Sequence, residues 1–167
     1  MFVLGVDPGL TRCGYGLVAR SGTAGFTARA AGTIETSPTL AVDRRLHELS
    51  SGLADLLAEY DPAVVVVERV FFQTNAKTAT GVAQASGVAL ACAAARGCEV
   101  AQYTSNEVKL AIVGYGAATK QQVQSMVARQ VGLTGELSAD AADALALAVC
   151  HLVGTSLRSA VAAAEAR

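Results

Sequence analysis

Over the first seven positions the chain alternates. Phe2, Leu4 and Val6 fall on one side of an extended backbone, and Val3, Gly5 and Asp7 on the other. This predicts a strand ending in a carboxylate, with Pro8 holding Asp7 extended and Gly9 turning the chain. The bare Gly5 beside Asp7 leaves room for something to approach closely. Strands at 14–19 and 25–36 follow through short turns, which makes an antiparallel three-strand meander. From Leu40 to Tyr60 the period becomes helical. Leu46, Leu49, Leu53, Leu56, Leu57 and Tyr60 form one stripe, and Asp43, Arg44, Arg45, Glu48, Ser51 and Glu59 lie elsewhere on the turn.

The run Ala63 to Glu68 is an alanine and four valines closed by an acid, the pattern of a strand buried on both faces in mid-sheet. A loop over 70–75 carries the adjacent aromatics Phe71 and Phe72. A helix over 76–95 is rich in Ala, Gly and Ser, small enough to pack closely on this chain's core or on a second copy. A fifth strand is expected over 98–102. Thr104 with Glu107 forms a capping box for a short helix to about Val113, Thr119 caps another, and Ser138 caps a last helix from Ala139 to about Val153. Residues 154–167 read as a frayed tail. The expected architecture is one α/β domain over 1–153, a five-stranded mixed sheet of a meander plus two parallel strands, flanked by helices. Right-handed crossovers put the first strand beside the fourth.

Composition narrows the class. At 167 residues, 52% hydrophobic and 16% charged, the chain suits one domain with a substantial core. The apolar run from Ala144 to Cys150 falls far short of the roughly 20 residues of a membrane span, and the first residues lack the basic start of a signal peptide. The expectation is a soluble cytoplasmic protein. Cys13, Cys92, Cys98 and Cys150 have no paired metal-binding spacing and read as reduced thiols, and His47 and His151 as surface or helix-end residues.

Four acids carry the chemistry. Asp7 and Glu68 would emerge from neighbouring strands, and Asp140 and Asp143, three apart, share a helix face. Each has a plain alternative: Asp7-Pro8-Gly9 is also an ordinary turn, and an acid pair near a helix start is favoured by the helix dipole. Together they make a dense oxygen set suited to Mg²⁺ or Mn²⁺ rather than zinc, able to hold two ions roughly 4 Å apart for in-line displacement at phosphorus.

From Asp7-Pro-Gly9 to Asp140-Ala-Ala-Asp143-Ala-Leu-Ala the chain resembles the RuvC family of Holliday junction resolvases, within the ribonuclease H-like nucleases. Val67-Glu68-Arg-Val-Phe71, Gln84-Ala-Ser-Gly87, Glu107-Val-Lys109 and Gly114-x-Gly-Ala-x-x-Lys120-Gln-x-Val123 add to it, in order, across roughly residues 1–153. The resemblance implies that Asp7, Glu68, Asp140 and Asp143 are the catalytic acids, holding two Mg²⁺ per site with Mn²⁺ as a substitute. Some relatives have His at the third position, where this chain has Asp140. A homodimer would nick two strands of like polarity symmetrically across a four-way DNA junction, in recombination and repair, leaving 5′-phosphate and 3′-hydroxyl ends. A RuvA–RuvB branch-migration complex is the implied partner. Phe71 would stack on or wedge between bases, Lys109 and Lys120 would meet phosphate near the cut, and Arg12, Arg69 and Lys77 would add backbone contacts. Leu10 and Tyr115 stand where relatives are often polar.

The net charge of −1 and pI near 6.1 are unusual for a DNA-binding domain, but setting the four acids aside moves the balance from −1 to +3. Three rivals remain. An actin-like kinase would need two such domains, more than 167 residues supply. A silent junction-binding module does not need four acids. A nuclease for RNA–DNA hybrids shares the acids but lacks the Phe71 and Lys109 to Lys120 signatures.

Overall fold

The alternation at the start of the chain becomes β1 (Phe2–Asp7), the middle strand of the sheet. The computed structural model describes residues 1–22, 25–69, 76–133, 135 and 137–165, without the side chains of 76–78 and 157–165. On one side β1 pairs antiparallel with β2 (Arg12–Ser21), which pairs antiparallel with β3 (Gly25–Glu35). On the other it pairs parallel with β4 (Val64–Glu68), which pairs parallel with β5 (Glu99–Tyr103). The order β3-β2-β1-β4-β5 is the expected meander with two parallel strands added. Val6 lies opposite Val67, so the next residues, Asp7 and Glu68, leave the same end of adjacent strands, about 5 Å apart by ordinary strand spacing.

Each sheet face is closed by helices that answer its pattern. Leu4, Val6, Leu17, Val65 and Val67 pack with Leu49, Leu53 and Leu57 of α1 (Val42–Tyr60) and with Ala85, Ala89 and Ala93 of α2 (Ala76–Ala95). The small residues of α2 thus serve this chain's own core. On the opposite face Val3, Val18, Val64 and Val66 lie under α5 (Ala139–Glu165), and α3 (Ser105–Val113) and α4 (Lys120–Gln130) pack against α5 in turn. Among described residues of α5, Ala141, Ala142 and every position from Ala144 to Leu152 are buried. At about 1.5–3 kcal/mol per fully buried Leu or Val, that helix anchors the molecule.

Glycines set its depth. A Cβ at Gly5 would lie 1.9 Å from the Ala144 carbonyl oxygen, and one at Gly14 2.1 Å from that of Asp140. The α5 backbone therefore rests directly on β1 and β2. What approaches Gly5 so closely is the chain's own helix.

Three details correct the sequence reading. Residues 154–165 continue α5 as helix rather than fraying, because Ala, Leu, Arg and Glu dominate there and no proline stops the turn. His151 is 3% exposed in the core, its ring edge-on to Tyr103 and its Nδ1 3.2 Å from that hydroxyl, because α5 is buried on all sides there. The second strand begins at Arg12 and ends at Ser21, well outside 14–19. No helix among the described residues is long and apolar enough to cross a membrane.

Candidate active site

Asp7 and Glu68 reach their cavity from the sheet, because one-residue register between parallel strands places both at the same edge. Asp143 reaches it from the second turn of α5, whose start is fixed by Ser138 Oγ accepting the Ala141 N–H at 3.2 Å. The cavity, about 350 Å³, is lined by these three acids, by Ser105, Val108 and Lys109 of α3, by Lys120 and Val123 of α4, and by Ala146 and Leu147 of α5. The two lysines are delivered by capped helices: Thr104 and Glu107 close one capping box, Thr119 and Gln122 the other.

The acids crowd one another. Burial above all, then the charges of Glu68 and Asp143, push the Asp7 carboxyl up to about 7 against the opposing pull of Lys120. Burial, followed by Asp143, also raises the Glu68 carboxyl, again against Lys120. Cations sit on the helix acids. Lys120 Nζ lies 2.5 Å from Asp143 Oδ2, and its ammonium is held charged above its usual range by that contact. The Gln124 amide donates to Asp143 Oδ1 at 3.2 Å.

Asp140 does not line the cavity. It accepts from Arg12 Nε at 2.7 Å, and the same guanidinium reaches Glu35 Oε1 at 2.6 Å. Its charge is nonetheless felt at Asp7. Among the described residues no three His, Cys, Asp or Glu side chains stand close enough together to hold one ion as they are. The donor chemistry still fits a hard divalent cation. The donors are carboxylate oxygens, and among the described residues neither Asp7 nor Glu68 forms an ion pair, the pull of Lys120 leaving both carboxyls raised.

Of the residues expected to meet DNA, Lys109 and Lys120 line the cavity. Arg69 is exposed directly after Glu68, with its backbone N–H bonded to the Tyr103 carbonyl at 2.8 Å. Arg12 is committed to two carboxylates. Phe71, Phe72 and the side chain of Lys77 lie outside the described residues. Sequence reasoning missed Gln124 and Glu35, whose partners are remote in the chain. It also missed Gly14 and Gly16, although Gly-x-Gly opposite the Gly5 and Asp7 face of the neighbouring strand was a readable sign of a close-packed helix.

A mixed sheet in this order, with acids from two central strands and a crossing helix gathered over one end, is the architecture of the ribonuclease H-like nucleases. The chain belongs to the crossover junction endodeoxyribonuclease RuvC family, whose model matches residues 3–151. It is 51% identical over 168 residues to the crossover junction endodeoxyribonuclease RuvC of Leifsonia xyli, covering 97% of this chain and 81% of that one. Among solved structures it is similar to Thermus thermophilus RuvC, at 32% identity and a TM-score of 0.87 over 94% of this chain and 96% of that one. The same protein in complex with a Holliday junction substrate matches with a TM-score of 0.88, at the same identity and coverage.

Proposed function

We propose that this protein is a structure-selective DNA endonuclease that resolves Holliday junctions in recombination and repair. One observation carries the reading: Asp7, Glu68 and Asp143 meet Lys109 and Lys120 at a single cavity, in a chain of the RuvC family.

Asp7 and Glu68, fixed on adjacent strands, together with Asp140 and Asp143 on α5, would hold two Mg²⁺, with Mn²⁺ substituting. When bound, the ion pair lowers the pKa of an attacking water and offsets charge on the leaving 3′ oxygen. The chain's own residues do the rest. Lys120 would have to give up Asp143, and Arg12 Asp140, before either carboxylate could serve a cation. Lys120, once released, is free for the scissile phosphate, and Lys109 flanks it from α3; both then balance charge that grows on the phosphate oxygens. Arg69 and Lys77 would track the backbone, Arg12 would join them after giving up its acids, and Phe71 would stack on bases at the opened centre.

Two such cavities related by the two-fold axis of a homodimer would cut strands of like polarity at symmetric positions, leaving 5′-phosphate and 3′-hydroxyl ends. A RuvA–RuvB complex would present the junction, and the work would be done in the cytoplasm. The test is nicking of a synthetic four-way junction, a linear duplex and an RNA–DNA hybrid, each with and without Mg²⁺. Junction cleavage that requires Mg²⁺ is expected. Preference for the hybrid would move the protein to a different nuclease class, and junction binding without any nick would make it a binding module.

A further inference from the structure

The Asp143 carboxylate is held from both sides by α4, by two donors of different kind. Lys120 Nζ takes Oδ2 at 2.5 Å, and one turn later the Gln124 amide takes Oδ1 at 3.2 Å while reaching the Ala139 carbonyl at 3.5 Å. Both Gln124 partners are acceptors, so the NH₂ end of the amide must face them. The two donors respond oppositely to an arriving divalent ion. An ammonium competes with it for the same oxygen and is repelled, whereas a neutral amide does neither and keeps its hydrogen bond.

We propose that Gln124 is the positioning residue for Asp143: it clamps Oδ1 so that, when Lys120 is displaced, Oδ2 remains aimed at the cavity as a metal ligand. This rests on the reading of the acid cluster as a divalent-metal site and deepens it. Gln124 is not among the residues that line the cavity. It acts by denying Asp143 rotation about its side-chain bonds, so that less freedom is lost when the ion binds. The 3.5 Å contact to Ala139 reinforces this, since it ties the same amide to the first turn of α5, the turn that carries Asp140.

The experiment uses the full chain without DNA and Mn²⁺ as the probe, with binding followed by calorimetry. Gln124→Met keeps the side chain's length and packing but removes the donor. It should weaken Mn²⁺ binding by about 10- to 100-fold while leaving the melting temperature close to wild type. In junction cleavage the Mg²⁺ concentration for half-maximal rate should rise by a similar factor, with the rate restored at saturating Mg²⁺. Gln124→Asn, which keeps the amide one methylene short, should show the same shift and carries the test if the Met variant does not fold. Asp143→Asn separates the two levels of the proposal. If Asp143→Asn weakens Mn²⁺ binding but Gln124→Met does not, Gln124 is only a strap between helices and the inference is wrong. If Asp143→Asn itself binds Mn²⁺ as wild type does, the metal reading of the cavity fails and this inference falls with it.

Discussion

In the metal-free protein the Asp7 carboxyl stands near 7, pushed there by burial and then by Glu68 and Asp143, against 3.8 for a free side chain. Between those two values the folded chain holds a proton that the unfolded chain has released, so stability falls as pH rises through roughly 4 to 7. Above pH 7 the folded state keeps a crowded charge, at a cost on the order of a few kcal/mol. Asp7→Asn should therefore raise the melting temperature of the metal-free protein at pH 8 by several degrees and flatten its decline from pH 5 to 8. Thermal melts in a chelator check this, and a variant no more stable than wild type at pH 8 would contradict it. That Asp7, Glu68 and Asp143 would meet was legible in the sequence, because two end adjacent strands and the third lies near a helix start. Their partners were not. Arg12 and Asp140 are 128 positions apart, and no local pattern links Lys120 or Gln124 on one helix to Asp143 on another.

At the scale of elements, the site depends on how low α5 sits. Asp143 comes over Asp7 only because Gly5 and Gly14 let the helix backbone touch the strands. Gly5→Ala would drive a methyl into the Ala144 carbonyl, which cannot yield without lifting the helix. A melting temperature lower by roughly 5–10 °C is expected, together with loss of cleavage even where the protein remains folded. A variant that melts and cuts like wild type would show that α5 need not lie so close. The strand order, the capping box of Thr104 with Glu107 and the cap at Thr119 could be read from the sequence, since caps are local devices and parallel strands leave few ways to cross. The last twelve residues of α5 could not, because Gly154-Thr-Ser looks like the end of a helix when its neighbours are unknown.

Across the whole molecule a net charge of −1 leaves little long-range attraction for DNA, so the proposed binding rests on local basic groups beside acids that the proposed cations would neutralise. Even two phosphate contacts would weaken junction binding roughly tenfold between about 50 and 200 mM salt. Gel-shift titrations in Ca²⁺ at several salt concentrations measure that slope, and a flat response would argue against phosphate contact by Lys109 and Lys120. The five-stranded mixed sheet was foreseeable from alternation, the valine run and right-handed crossovers, and its ribonuclease H-like class from the family resemblance. The ion pair Lys120–Asp143 in the cavity and the pair Arg12–Asp140 beside it were not, because each joins residues remote in the chain.

The central claim is that acids from β1, β4 and α5 act as one divalent-metal site that cuts DNA. It is tested most directly by mapping nicks on all four strands of an end-labelled junction, for wild type and Asp7→Asn, with and without Mg²⁺. Wild type should nick two strands of like polarity at symmetric positions only when Mg²⁺ is present, and Asp7→Asn should bind the junction but leave every strand intact. Cleavage by Asp7→Asn at the wild-type rate, or by wild type in a chelator, would contradict the account.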